Sequence, residues 1–309
     1  MNKIGKIISH LLHPVRAMRI LKMKRLQSAW GRKLSDKKYL SAVYKLKTGK
    51  KLNLKNPQTF NEKIQWLKIY DHKPEYTTMV DKYAAKQYVS AKIGEEHIIP
   101  TLGVWDHFDD IDFESLPNQF VLKCAHDSGA VCICRDKKTF DIEKARQKIN
   151  WSQEREYYYM WREWPYKDVP HRIIAEQYMK DKSQPELTDY KFYCFNGEPK
   201  FLYVSTGLEN HATAAISFLT LDWQFAPYER CDYKPFAKLP PKPQNFDQMV
   251  EFARKLSAGM DFLRVDLYEI NGEVYFSELT FSPGAGFTQF KDESHDLEIG
   301  KMLVLTPKG

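Results

Sequence analysis

Hydrophobic positions along this chain alternate between a helical and a strand period, and the switches mark its elements. Ile4, Ile7, Ile8, Leu11, Leu12, Val15, Met18 and Leu21 recur at i, i+3 and i+4 with Lys and Arg elsewhere, an amphipathic helical signature. Pro14 lies inside that run and is expected to kink or break the helix. Asn56-Pro57-Gln58 marks a loop, and Thr59-Phe60-Asn61-Glu62 fits a capping box opening a helix through Ile64, Leu67 and Lys68. A second helix is predicted from Asp81 to Lys92, ending near Gly94, and Ile98-Ile99-Pro100 begins an extended segment.

Strand patterns dominate the second half. Phe120-Val121-Leu122-Lys123 and Ala130 to Cys134 read as short apolar strands joined by the turn His126-Asp127-Ser128-Gly129. Residues 141–164 read as helical and crowded with aromatics: Trp151, Tyr157, Tyr158, Tyr159, Trp161 and Trp164. Strands are predicted at 172–176, 190–195 and 200–205, then a Pro- and Lys-rich linker from Pro235 to Pro243 and a helix from Phe246 to Met260. From Leu263 to Gly286, Val265, Leu267, Val274 and Phe276 alternate with polar residues across Asn271-Gly272, a strong hairpin signal. Helices first and antiparallel strands later predict the α+β class.

Charge divides the chain differently. At 309 residues it can bury a full core in two or three lobes. Residues 1–50 carry 14 Lys and Arg against one acid, Asp36, a net of +13, whereas the remainder nets −6 within a total of +7. A basic amphipathic segment can lie on an anionic membrane, at about 1 kcal/mol per Lys or Arg near the headgroups. It can equally dock on the protein body with a solvated basic face. The longest uncharged run, Ile7 to Val15, is far short of the roughly 20 residues of a membrane span, and His10, His13 and Pro14 make it a poor signal peptide. No nucleic-acid reading motif accompanies the charge, so no nucleic-acid partner is expected. The five cysteines are odd in number and include no Cys-x-x-Cys, which fits buried thiols in a reduced, cytoplasmic setting. Cys132 and Cys134 share a strand face but lack a matching ligand pair, so no metal site is expected there.

Chemistry concentrates in a few places. Arg264 and Asp266 lie on one strand of the terminal hairpin and Glu278 on the next, followed by Ser282-Pro283-Gly284. Two carboxylates beside an arginine call for a cation or a phosphate in the same site. Lys123 ends an apolar strand and faces a turn whose Ser128-Gly129 can offer N–H groups, a combination suited to nucleotide phosphates. Glu176 closes the strand Arg172-Ile173-Ile174-Ala175 and leads into Gln177-Tyr178-Met179, where it can accept from an adenine amino group or a ribose hydroxyl. Asp189-Tyr190-Lys191 comes next.

The order and wording of these segments resemble the ATP-grasp superfamily, and more closely its teichuronopeptide-biosynthesis (TupA-like) branch. The words that carry the resemblance are Thr59-Phe60-Asn61-Glu62-Lys63-Ile64-Gln65-Trp66-Leu67, Asp81-Lys82-Tyr83, Phe120-Val121-Leu122-Lys123, Asp189-Tyr190-Lys191-Phe192, Phe195-Asn196-Gly197, Arg264-Val265-Asp266-Leu267-Tyr268 and Glu278-Leu279-Thr280, spanning residues 53–305. The resemblance implies a nucleotide held between two α+β lobes: a basic helical extension over 1–50, a helix-rich leading domain over 51–118, a small lobe over 119–178, and a large lobe over 179–309 bearing a metal site. It implies that Lys82 and Lys123 contact ATP phosphates under the His126–Gly129 turn. Glu176, Gln177, Tyr178 and Met179 would hold adenine and ribose, with Asp189 and Lys191 beside them. Asp266 and Glu278 would bind Mg2+, and Arg264, with Lys123, would stabilise the reacting phosphoryl group.

In family members of the ligase type, a carboxylate attacks the γ-phosphate of ATP and an amine then displaces phosphate. Such chemistry relies on positioning and electrostatics. The family setting implies a uronic acid of a surface polysaccharide, or its precursor, as the acceptor. The chain departs from the family in two ways. Thr280 stands where many members place an Asn metal ligand, and helices stand in for a Rossmann-like leading domain. Two other enzymatic readings remain open: a kinase on the same fold, and a metal-dependent glycosyltransferase using Asp110-Ile111-Asp112. The aromatics of 151–166 can stack on sugar faces or fill a core.

Overall fold

A computed structural model describes residues 14–184, 186–207 and 214–307. The apolar repeat predicted over residues 4–12 lies outside the described residues. Helix α1 (Pro14–Leu26) runs unbroken through its described length. A one-turn α2 (Ala29–Arg32) and a longer α3 (Asp36–Thr48) follow, the latter closed by a left-handed Gly49 at φ 77°. Helix α4 (Phe60–Tyr70) starts with the predicted capping box: Thr59 Oγ1 accepts from the Glu62 N–H, and Glu62 accepts from the Thr59 N–H.

The helix predicted over 81–92 is α6 (Ala84–Ile93), and a shorter helix with no predicted counterpart, α5 (Glu75–Val80), precedes it across a break. Asp81 causes the break, because its Oδ1 accepts from the backbone N–H groups of Tyr83 (2.9 Å) and Ala84 (3.3 Å) and so starts a new helix. Strands β1 (Thr101–Trp105), β2 (Phe120–Cys124) and β3 (Val131–Cys134) follow, then α7 (Ile142–Gln153) and α8 (Tyr157–Trp161). The predicted continuous helix over 141–164 therefore stops twice. Its second stop is Arg162, left-handed at φ 54° and buried, whose guanidinium donates to the carbonyls of Gly31, Arg32 and Leu34.

Strands β4 (Ile173–Gln177), β5 (Asp189–Phe195), β6 (Glu198–Thr206) and β7 (Ala215–Thr220) precede α9 (Phe246–Ser257). Of these, β7 had no counterpart among the predicted strands. The hairpin β8 (Phe262–Ile270) and β9 (Glu273–Thr280) and helix α10 (Ser294–Met302) complete the described chain. Asn271 and Gly272 both take positive φ, 53° and 84°, as a two-residue hairpin turn requires.

The strands form two antiparallel sheets, β1-β4-β2-β3 and β7-β6-β5-β8-β9, and the class is α+β as expected. Helix α7 covers one face of the small sheet through Ala145 and Ile149, leaving Val121, Lys123, Val131 and Ile133 on the other. In the large sheet, Phe192, Leu202, Leu263, Val265 and Leu267 point toward α5, α6 and α9. The opposite face is aromatic where α4 and α10 pack on Tyr193, Phe195 and Phe262, and charged toward β8 and β9. The inner half of the basic segment belongs to the body: Tyr39, Leu40, Val43 and Tyr44 pack with Trp161 and Phe287. Among the described residues, no helix is long and apolar enough to cross a membrane.

Candidate active site

The open faces of the two sheets meet at a cleft. Its wide part, about 590 Å³, is lined by Val121, Lys123 and Ile133 from the small sheet, by the connector Gln177, Tyr178 and Met179, and by Asp189 and Tyr268 from the large sheet. A narrower chamber of about 220 Å³ shares Lys123, Gly129, Glu176 and Asp189 with it and adds Lys82, Lys86, Ser128, Lys191 and Glu278. A slot that mixes apolar residues with Arg135, Lys148, Lys180, Asp181 and Glu186 thus opens into a pocket where four lysines meet Glu176, Asp189 and Glu278. Such a cavity has room for a base and sugar at its wide end and for phosphates among the lysines.

Glu176 is less free than a ribose acceptor would be. Lys86 Nζ lies 2.8 Å from one carboxylate oxygen, and Lys123 pairs with the other. Burial would raise this carboxyl's pKa, but Lys123 and Lys86 override it and hold it at about 2, against an ordinary 4.5. In this geometry its carboxylate joins two ammonium groups that both line the chamber. Lys86 was not singled out in the sequence, although it stands four residues after Lys82. Burial lowers the Lys86 pKa and Glu176 opposes that shift. Lys82 reaches the turn from the other side, its Nζ donating to the Asp127 carbonyl at 2.5 Å.

The turn at residues 126–129 is built more firmly than its glycine suggests. Asp127 is buried; its carboxylate accepts from Ser152 Oγ (2.5 Å), Arg155 (3.2 Å) and the Ser128 N–H (2.6 Å). Gly129 takes φ 103° and faces open space, so backbone conformation and not crowding requires glycine. His126 does not line the chamber. It is buried, stacked on His171 with centroids 3.7 Å apart, and burial together with His171 lowers its pKa to about 4.

Across the chamber, strands β5, β8 and β9 present a charge network. Arg264 grips Asp266 with two bonds, Nε to Oδ1 at 2.7 Å and Nη2 to Oδ2 at 2.6 Å. The same Nη2 reaches Glu278 (3.2 Å) and Thr280 Oγ1 (2.9 Å), and Thr280 donates to Glu278 at 2.7 Å. Lys191 bridges Asp189 (3.0 Å) and Asp266 (2.6 Å). Burial would raise the Glu278 pKa, but Arg264, Lys82 and Lys191 hold it at about 2, so it is ionised throughout the physiological range.

Asp266, Glu278 and Thr280 are hard oxygen donors of the kind Mg2+ takes. They are unequally available. Asp266 is fully buried with both oxygens engaged, whereas the Glu278 side chain is 37% exposed and its Oε2 has no hydrogen-bond partner among the described residues. Among the described residues, no group of three or more His, Cys, Asp or Glu could hold a metal ion. Asp110 and Asp112, the Asp-x-Asp of the glycosyltransferase reading, stand exposed in and beside a one-turn helix and line neither cavity.

Sequence reasoning also passed over Lys68 and Glu163. Both are buried, Lys68 donating to the carbonyls of Ala285 (2.5 Å) and Trp161 (3.1 Å). Burial raises the Glu163 pKa to about 7, Lys68 opposes the rise, and Glu278 adds to it. Neither residue sits in a motif word of its own, so only the fold brings Lys68 to Glu163 and Glu163 toward Glu278.

Among solved structures, the chain is similar to a D-alanine–D-alanine ligase from Helicobacter pylori, at 16% identity and TM-score 0.44, covering 73% of this chain and 61% of that one. A D-alanine–D-alanine ligase from Bacillus anthracis complexed with ATP gives 12% identity and TM-score 0.38, over 66% and 54%. The ATP-grasp ligase PsnB, complexed with a phosphomimetic variant of its minimal precursor, Mg and ADP, gives 10% and 0.42, over 84% and 64%. The chain thus spans under two thirds of the length of each. No curated protein matches it in sequence. The family profile described as TupA-like ATPgrasp matches residues 62–304, and the chain belongs to that family.

Proposed function

We propose that this protein is an ATP- and Mg2+-dependent ligase that joins a carboxylate to an amine through an acyl-phosphate. The observation that carries the reading is the chamber where Lys82, Lys86, Lys123 and Lys191 surround Glu278 at the end of the wider slot. The slot takes the adenine beside Gln177, Tyr178 and Met179, and the lysines take the phosphates. Glu278 and Asp266, with Thr280, would hold Mg2+, which supplies charge neutralisation at the phosphates.

In the first step, a carboxylate oxygen of the acceptor bonds to the γ-phosphorus and the bond to the ADP oxygen breaks. Lys123 and Arg264 stabilise the charge that spreads over the phosphoryl oxygens. An amine nitrogen then attacks the acyl carbon, loses its proton, and phosphate departs. Family membership and the cationic chamber favour a uronic acid of a surface polysaccharide, or its precursor, as acceptor and an amino acid or other amine as donor. The basic segment over residues 1–25 is proposed to contact an anionic membrane from the cytoplasmic side.

The test is product analysis with ATP, uronic-acid acceptors and an amino-acid panel. Phosphate release that requires both carboxylate and amine, with an amide found by mass spectrometry, is expected. A phosphorylated sugar with ADP and no free phosphate would make it a kinase. Thermal stabilisation by UDP-sugars but not by ATP with Mg2+ would overturn the nucleotide assignment.

A further inference from the structure

The N-terminal layer holds a further cavity, which shares no lining residue with the cleft. It is a groove of about 600 Å³ among α1, α2 and α3, lined by Met18, Arg19, Lys22, Arg25, Leu26, Trp30, Lys45 and Leu46. Four of its lining residues are cations and none is an acid. Among the described residues, none of the four has an acidic partner, and Arg25 instead lies 4.5 Å from the Trp30 ring. Met18 and Trp30 are about half exposed, at 49% and 48%, and neighbouring Leu21 is 66% exposed. Large apolar side chains left open beside unpaired cations are unusual in a segment whose inner face is already packed through Tyr39, Leu40 and Val43.

We infer that this groove takes an anionic bilayer lipid, its headgroup among Arg19, Lys22, Arg25 and Lys45 and its acyl chain along Met18, Leu26, Trp30 and Leu46. Charge complementarity selects this occupant. Residues 1–13 of the chain bring Lys3 and Lys6 and no acid, so the chain's own N-terminal segment does not match the groove's charge. The aromatic ring at a cationic rim suits the headgroup boundary, where amphipathic rings gather. The inference rests on the membrane reading of residues 1–25 and extends it to Trp30 and Lys45, which lie beyond that segment.

The experiment uses the whole 309-residue chain, sedimented with vesicles of phosphatidylcholine alone or with about 30% phosphatidylglycerol, beside Trp30→Ala and Lys45→Glu variants. Both side chains are exposed, so the variants are expected to keep their melting temperature and ATP turnover. Wild type should bind only the anionic vesicles, and each variant should bind them about tenfold more weakly. Unchanged binding by both variants would remove the groove while leaving the membrane reading standing. No binding of anionic vesicles by wild type would end both. Displacement from vesicles by millimolar inorganic phosphate would assign the groove to a free anion. A variant that changes oligomeric mass and not vesicle binding would assign it to a second copy of the chain.

Discussion

Asp266 and Glu278 stand opposite each other across β8 and β9, and an irregularity in β9 puts them there. Asp266 pairs with Glu278 but Leu267 pairs with Phe276, so Ser277 is an extra residue in the ladder. Val274 and Phe276 face the core, and so does Leu279. The one-residue bulge thus shifts the phase of β9 and turns Glu278 and Thr280 onto the face of Arg264 and Asp266. Deleting Ser277 should restore strict alternation and leave Glu278 opposite Asp266, because Phe276 facing the core is then followed directly by Glu278 facing the site. ATP turnover should survive in the deletion and in Ser277→Ala alike. Loss of turnover on deleting Ser277 would show that the bulge itself, and not the phase it sets, positions Glu278.

Glu278→Gln keeps the side chain's shape and removes its charge. Loss of one well-placed electrostatic group costs about 10²–10³ in rate, and that drop in ATP turnover is expected here. Arg264 keeps Asp266, so the fold should survive. A higher Mg2+ requirement in the residual activity would tie the loss to metal binding. Unaltered Mg2+ dependence would move the metal away from Glu278.

Lys86→Ala tests the residue that the fold added to the site. Without it, Glu176 keeps only Lys123 as a cationic partner. The expected result is a roughly tenfold rise in the KM for ATP, the size of one charge-assisted hydrogen bond. Lys123→Ala should be far more severe. Equal effects on both would mean that Glu176, not the phosphate, is what each lysine serves.

Arg162 fastens the basic segment to the body. It is 2% exposed, donates to three carbonyls between Gly31 and Leu34, and lies 4.6 Å from the Tyr39 ring. Tyr158 adds a hydroxyl bond to Asp36 at 2.7 Å. Arg162→Ala removes the side-chain donor from all three carbonyls, of which Gly31 keeps the Leu34 N–H, and should destabilise the protein by about 3 kcal/mol in urea unfolding. Arg162→Lys should recover only part of this, because an ammonium cannot span the same carbonyls. A loss below about 0.5 kcal/mol would show that the segment is held by apolar packing alone.

Local signals carried much of this structure. The capping box at Thr59, the Asn271-Gly272 hairpin and the strand at Phe120 stand where short-range chemistry put them, since each depends on residues only a few positions apart. What the sequence hid depends on distant contacts. Arg162 stops a helical pattern because it meets carbonyls some 130 residues earlier in the chain. Glu176 looked like an open acceptor because nothing local shows Lys86 and Lys123 arriving from two elements. Local sequence sets Asp266 beside Arg264, but nothing local shows that Lys191 on a separate strand pairs with it.

His126 gives the fold a pH dependence separate from that of Glu176. An unfolded histidine titrates near 6.5, while in the folded chain burial and His171 lower the value to about 4. Between pH 6.5 and 4 the unfolded state therefore binds more protons, and stability falls as the solution is acidified through that window. Glu176 acts lower. Its folded value near 2 lies below the ordinary 4.5, so its contribution is fully present above about pH 4.5 and is lost as pH falls toward 2. His126→Phe keeps a ring against His171 and removes the titration. Urea unfolding of this variant should show a flatter slope of stability against pH between 6.5 and 4, while the steeper loss below 4.5 persists. Glu176→Gln should do the reverse. Parallel slopes for His126→Phe and wild type across the upper window would place the buried imidazole's proton elsewhere and detach the phosphate turn from it.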